Sequence, residues 1–260
     1  MAPVNVVFLG FLGSLAAGMM TAVGAIPVLF GWTISRRTND ALLGFAAGVM
    51  LAASFFSLII PSLDASTKLY GEGVIPALIA VGGVVMGALA VHLLDESVPH
   101  EHFVKGREGR ETTSLRKIWL FVIAITIHNV PEGLAVGVGF GGGDIANGTT
   151  LAIGIGLQNA PEGLAVAVAL LSEGYSKPYA FTVACLTGLV EPVAGLLGAG
   201  AVSISQLLLP WGLTFAAGAM IYVISHEIIP ETHQHGHQKA ATTGLMIGLV
   251  LMMFLDVVLG

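Results

Sequence analysis

The sequence is poor in charge. Only 10% of its 260 residues are Asp, Glu, Lys or Arg, against about 25% in a soluble globular domain. That shortfall excludes a water-soluble enzyme and a disordered chain. Basic residues are scarcer still, 10 Lys and Arg against 16 Asp and Glu. No basic surface is available to neutralise nucleic-acid phosphates, which excludes a nucleic-acid binder. A single cysteine, Cys185, excludes a disulfide framework and a Cys-based zinc finger. What the chain has is apolar surface: 55% hydrophobic residues and a mean hydropathy of +0.88. Its 35 glycines are spread through apolar runs, which suits close helix packing in lipid and neither collagen nor a linker.

A bilayer-spanning helix needs about 20 mostly apolar residues. Eight such segments are predicted: 5–32, 41–61, 74–94, 117–140, 148–171, 179–201, 207–229 and 241–259. The sixth and seventh are divided near Ser203–Gln206 and Pro210, inside a run from Pro192 to Ser225 that carries no charge. Short polar connectors separate the spans, so residues 1–260 read as one transmembrane domain. The expected fold class is an all-α integral membrane protein, an eight-helix transmembrane bundle. The first segment has no basic stretch before it and reads as a retained helix, not a cleaved signal peptide. Nine of the ten basic residues fall in connectors on one side, and only Lys68 on the other. The side rich in Lys and Arg faces the cytoplasm, so both termini are expected outside.

Three carboxylates, Glu132, Glu162 and Glu191, sit deep in apolar runs. Unpaired, they would together cost about 8–10 kcal/mol on insertion scales. No Lys or Arg lies at comparable depth. They are therefore protonated or they bind something positive. Their surroundings bear on that choice. The fourth span reads Ile127-His128-Asn129-Val130-Pro131-Glu132-Gly133, and the fifth Leu157-Gln158-Asn159-Ala160-Pro161-Glu162-Gly163. Eight of fourteen positions match between 127–140 and 157–170. Consecutive spans run in opposite directions, so this is a repeat of antiparallel topology, a common way to build a midplane transport site.

His128 and Glu132 are four residues apart and stack on one helix face, as do Gln158 and Glu162. Each proline removes a backbone donor and crowds the carbonyl four residues back. Helices 4 and 5 are thus expected to be Pro-kinked and to carry the site. Together the two motifs offer one imidazole, two carboxylates and three amide oxygens, a mixed N/O set suited to a divalent first-row metal. Glu191, before Pro192, is a third candidate carboxylate, and Met50 offers a thioether. The competing reading is kinked helices joined by polar contacts.

The paired Asn-x-Pro-Glu-Gly motifs on adjacent spans resemble the signature of the ZIP (Zrt/Irt-like) divalent-metal transporters. Ala46–Met50, Gly188–Pro192 and His226–Glu231 resemble its bacterial branch. The resemblance covers essentially the whole chain. It implies a binuclear site between spans 2, 4, 5 and 6. His128, Glu132, Gln158, Glu162 and Met50 would hold the transported ion. Asn129, Asn159, Glu162 and Glu191 would hold a neighbouring one, with Glu162 bridging. Gln158 stands where many members have His, and Asn159 where some bacterial relatives have Asp. The resemblance also implies a bacterial inner-membrane location and inward movement of zinc first, with iron, manganese and cadmium as further substrates. Spans 1, 4, 5 and 6 would move against spans 2, 3, 7 and 8.

Topology places Asp64 and Asp256 at the outer entrance. It places Asp95, His100, His102, His226, Glu227, Glu231, His233, His235 and His237 on the cytoplasmic side, where an exit or sensing role is expected. Two motifs are dismissed. His226-Glu227 has Pro230 where a zinc protease needs its second His. Gly137-x-Gly139-x-x-Gly142 lacks the strand that precedes a dinucleotide loop. No ATP-binding motif is present, and no catalytic cofactor is expected. A membrane-embedded metalloenzyme and a fixed-metal receptor are the alternatives to a secondary transporter. Gly-rich outer faces would permit a homodimer.

Overall fold

The computed structural model describes residues 5–32, 34–97, 100–102, 106–108, 117–233 and 236–259. Eight helices are long and apolar enough to cross a membrane. They are α1 (Val6–Leu29), α2 (Arg36–Tyr70), α3 (Val74–Ser97), α5 (Ile145–Ser172), α6 (Lys177–Ile204), α7 (Leu208–His233) and α8 (Gln238–Leu259), with α4 (Lys117–Gly141) between α3 and α5. A short hairpin, β1 (His100–His102) with β2 (Gly106–Glu108), lies in the connector between α3 and α4. The predicted division of spans 6 and 7 falls within the connector between Ile204 and Leu208. Span 2 is longer than its hydropathy suggested, because the helix continues past Pro61 to Tyr70. Asp64 therefore lies inside α2, not after it.

The even-numbered helices each carry a basic residue in their first two positions: Arg36, Lys117, Lys177 and Lys239. Such placement does not favour the helix dipole. It follows from loop charge, which sets orientation.

Packing groups the helices into two sets, which meet where α2 packs on α5 and α7 on α4. α1, α4, α5 and α6 pack on one another, while α2 pairs with α8 and α3 with α7. Glycine makes these approaches possible, since small residues let helix backbones meet in lipid. Gly44 and Gly48 on α2 face the carbonyls of Ala241 and Leu245, and Gly244 and Gly248 on α8 face those of Ala41 and Phe45. A Cβ on any of the four would overlap that backbone. Gly133, Gly137 and Gly141 on α4 likewise meet Glu191, Gly195 and Ala199 on α6, each four residues along. These glycines serve contacts within the chain, not an outer face. The outer surface is apolar: Leu78, Val81, Val85 and Leu89 on α3, and Ile247, Val250, Phe254 and Val257 on α8, are exposed.

Two helices widen locally. α2 contains a π-helical stretch at Ala53–Ile59 and α7 one at Ile224–Ile228. Each is followed by Ile-Pro, at Ile60-Pro61 and Ile229-Pro230. Proline lacks an N–H and its ring crowds the preceding turn. A π turn absorbs that crowding without breaking the helix, and such turns are frequent at functional sites. α6 responds differently: it interrupts at Leu189, three residues before Pro192.

Candidate metal centre

Two apolar clusters bracket the repeat motifs. One contains Ala135, Val136, Leu151 and Ile155, the other Ile118, Val122, Val166 and Leu170. Residues 128–132 of α4 and 158–162 of α5 fall between them, so polar side chains form one layer sealed above and below by hydrocarbon. His128, Asn129, Glu132, Gln158, Asn159, Glu162 and Glu191 are all buried. Among the described residues, no Lys or Arg side chain is buried.

The hydrogen bonds in this layer have a consistent direction. Asn129 Nδ2 donates to the Thr187 carbonyl at 2.9 Å, beside the interruption of α6. Gln158 Nε2 donates to Glu132 Oε1 at 2.5 Å. Asn159 Nδ2 donates to Glu191 Oε1 at 2.7 Å and to the Ala17 carbonyl of α1 at 3.0 Å. Every amide nitrogen of the motifs is thus occupied by a protein acceptor. The amide oxygens of Asn129, Gln158 and Asn159, Glu132 Oε2, Glu191 Oε2, both oxygens of Glu162 and His128 Nε2 are buried without a hydrogen-bond partner. Orphaned buried acceptors are costly, and a cation satisfies several at once. Glu132–Gln158 and Asn159–Glu191 make two neighbouring donor pairs, with Glu162 free at both oxygens.

Among the described residues, no three His, Cys, Asp or Glu side chains are gathered as a ready-made metal cage. The reason is the amide share of the donor set, together with the two carboxylates turned toward amide groups. The donors fit a hard or borderline divalent ion that takes mixed oxygen and nitrogen ligands. Met50 is fully buried on α2, in the apolar cluster that also holds Leu151, Ile155 and Met220.

One side of the layer continues into a cavity of about 40 Å³, enough for about one small ligand such as water. His128, Glu162, Glu227 and Glu231 supply its polar wall, and Leu43, Phe121 and Ile125 part of its apolar wall. His128 Nδ1 lies 3.0 Å from Glu227 Oε2 on α7. A carboxylate at one ring nitrogen is the kind of outer partner that orients a ligating histidine, and Nε2 is left buried without a hydrogen-bond partner.

The peripheral residues separate into groups. Asp256 on α8 accepts a hydrogen bond from Ser57 Oγ at 2.5 Å, within the π turn of α2. Asp64 is exposed. On the opposite face, His226 Nε2 is 3.8 Å from Asp95 Oδ2. Glu231 reaches the cavity wall, whereas His233 Nδ1 bonds the Ile229 carbonyl at 2.9 Å. His237 Nδ1 meets buried Asp40 Oδ2 at 2.8 Å. His235 lies outside the described residues, as do the side chains of His100 and His102.

A family model described as ZIP Zinc transporter matches residues 101–256. The chain belongs to the ZIP family. It is 47% identical over 251 residues to zinc transporter GufA of Myxococcus xanthus, covering 96% of this chain and 99% of that protein. It is 48% identical over 258 residues to zinc transporter ZIPB of Bordetella bronchiseptica, covering 98% and 84%. Human zinc transporter ZIP11 is 37% identical over 335 residues, covering 98% of each chain.

Sequence reasoning missed several residues around this ZIP centre. Asp40 was assigned to a connector, yet it is buried at the start of α2. Ser57 carried no signal beyond its place just before Ile59-Ile60-Pro61, which parallels Ile228-Ile229-Pro230. That parallel was visible and marks both π turns. Glu227 had been placed at the exit, and its contact with His128 required the packing of α7 on α4.

Proposed function

We propose that this protein is a secondary transporter that carries divalent transition-metal ions, zinc foremost, into the cytoplasm through the buried polar layer of α4, α5 and α6. The observation that carries the reading is the set of unpartnered buried acceptors on Glu132, Gln158, Asn159, Glu162, Glu191 and His128 Nε2. Such a set in hydrocarbon calls for a mobile cation. The relatives' names, all zinc transporters, support zinc as substrate. Iron, manganese and cadmium belong to the same donor chemistry.

The ion enters near Asp64 and Asp256, exchanges water for protein donors, and is held by His128, Glu132, Gln158, Glu162 and Met50. Asn129, Asn159, Glu162 and Glu191 hold a second ion beside it, with Glu162 bridging. Metal ligands must be deprotonated, so binding releases protons from the layer. Release follows the cavity toward Glu227 and Glu231, then Asp95, His226 and the loop histidines. That cavity lies toward the face where the basic even-numbered helix ends collect, which supports a cytoplasmic exit, termini outside and an inner-membrane setting. The grouping of α1, α4, α5 and α6 beside the α2–α8 and α3–α7 pairs supports alternating access by movement between them.

The test is uptake of radiolabelled Zn²⁺ into proteoliposomes, with His128→Ala and Glu162→Ala beside the native chain and Fe²⁺, Mn²⁺ and Cd²⁺ as competitors. Saturable uptake by the native chain, lost in both variants, is expected. Stoichiometric metal binding with no ion movement would overturn the transport reading.

A further inference from the structure

The last two turns of α3 carry a histidine and a glutamate that the transport path does not use. His92 and Glu96 are four residues apart, so they stand one turn above each other on the same helix face. Their side chains are 45% and 66% exposed. His92 Nε2 and Glu96 Oε1 are 3.5 Å apart. A charge-assisted hydrogen bond between such groups closes to about 2.7–2.9 Å. A tetrahedral zinc with one nitrogen and one oxygen ligand at about 2.0–2.2 Å holds those atoms roughly 3.4 Å apart. The observed gap is one that a shared metal can span.

The other nitrogen of His92 is anchored. Nδ1 is 3.0 Å from the Tyr222 hydroxyl on α7. With Nδ1–H donating to that oxygen, the lone pair sits on Nε2, the atom that faces Glu96. Ligating histidines are held in this way by an outer partner at the second ring nitrogen. Tyr222 also stacks on His226, with ring centroids 5.0 Å apart and planes at 28°, while His226 faces Asp95. Asp95 adjoins Glu96 in the chain but points inward and is buried. One turn of α3 thus presents a carboxylate to each side, and Tyr222 touches both histidines.

We propose that His92 and Glu96, oriented by Tyr222, form a solvent-facing binding site for a divalent transition-metal ion on the outside of α3, next to Asp95 and His226. Two protein ligands leave the remaining positions to water, so the site is weak and exchangeable. It stands apart from the buried layer of α4 and α5 and can receive an ion that has passed Asp95 and His226.

The test uses the full-length chain in lipid nanodiscs and Zn²⁺ alone as probe. Equilibrium dialysis with radiolabelled Zn²⁺ is done in a His128→Ala/Glu162→Ala background, so that the result does not depend on the transport centre. Adding His92→Ala or Glu96→Gln is expected to lower the bound zinc by one ion per chain. Tyr222→Phe, which keeps the ring on His226, is expected to keep the number and weaken that ion roughly tenfold. His92→Gln guards against a packing effect, since it fills the position without an imidazole and must show the same loss. Unchanged zinc number and affinity in His92→Ala and His92→Gln would overturn the site. Unchanged affinity in Tyr222→Phe would overturn its positioning by Tyr222.

Discussion

His128 on α4 and Glu227 on α7 meet at 3.0 Å across the boundary between the two helix groups. α4 packs with α1, α5 and α6, and α7 with α3. The contact therefore joins the buried polar layer to the opposing group and engages one imidazole nitrogen while the other stays unpartnered. Glu227→Gln keeps the size and removes the carboxylate. Metal affinity should fall by about 10–100-fold, the usual cost of losing such a partner. Zinc titration of the purified protein measures it, and affinity equal to the native chain's would separate Glu227 from the site.

Glu162 has both carboxylate oxygens buried and unpartnered. Removing an uncompensated buried carboxylate does not weaken the fold, whereas removing a metal ligand abolishes the site. Glu162→Gln should therefore lose zinc uptake and lose the rise in Tm that zinc gives the native chain. In chelator its Tm should equal or exceed the native value. A clearly lower Tm in chelator would contradict the assignment of Glu162 as an open ligand.

Gly163 adjoins Glu162 and faces the Thr21 carbonyl of α1. A Cβ there has no space, and the obstacle is backbone. Gly163→Ala should destabilise the protein by about 1–3 kcal/mol, seen as a lower Tm. Gly200 has open space around it, so Gly200→Ala should leave Tm nearly unchanged. Equal Tm values for the two variants would refute the close α1–α5 approach.

Pro230 follows the π turn that contains His226 and Glu227. Pro230→Ala restores a backbone donor and permits ordinary helical winding, which would rotate Glu227 away from His128. Zinc uptake should slow, with less effect from Pro210→Ala at the start of α7. If Pro230→Ala transports at the native rate, the π turn is not set by that proline.

Much of this was legible in the sequence. Helix count and order followed from apolar runs, because lipid demands about 20 apolar residues per span. The polar layer followed from the repeat at Asn129-x-Pro-Glu132 and Asn159-x-Pro-Glu162, where polar residues interrupt hydrocarbon at matched depth. Helix ends were less clear. Asp64 and Asp40 carry charge at span edges, so hydropathy placed them outside helices that in fact include them.

The sequence by itself determined the membrane setting, the eight spans and the identity of the polar residues in the central layer, since each is a property of local composition and spacing. Tertiary structure decided which donor meets which. Gln158 turns to Glu132, Asn159 to Glu191 and His128 to Glu227, partners 26, 32 and 99 positions apart in the chain. Helical periodicity relates residues three or four apart. Contacts between helices depend on which faces the glycines let approach, and that is settled only when the bundle packs.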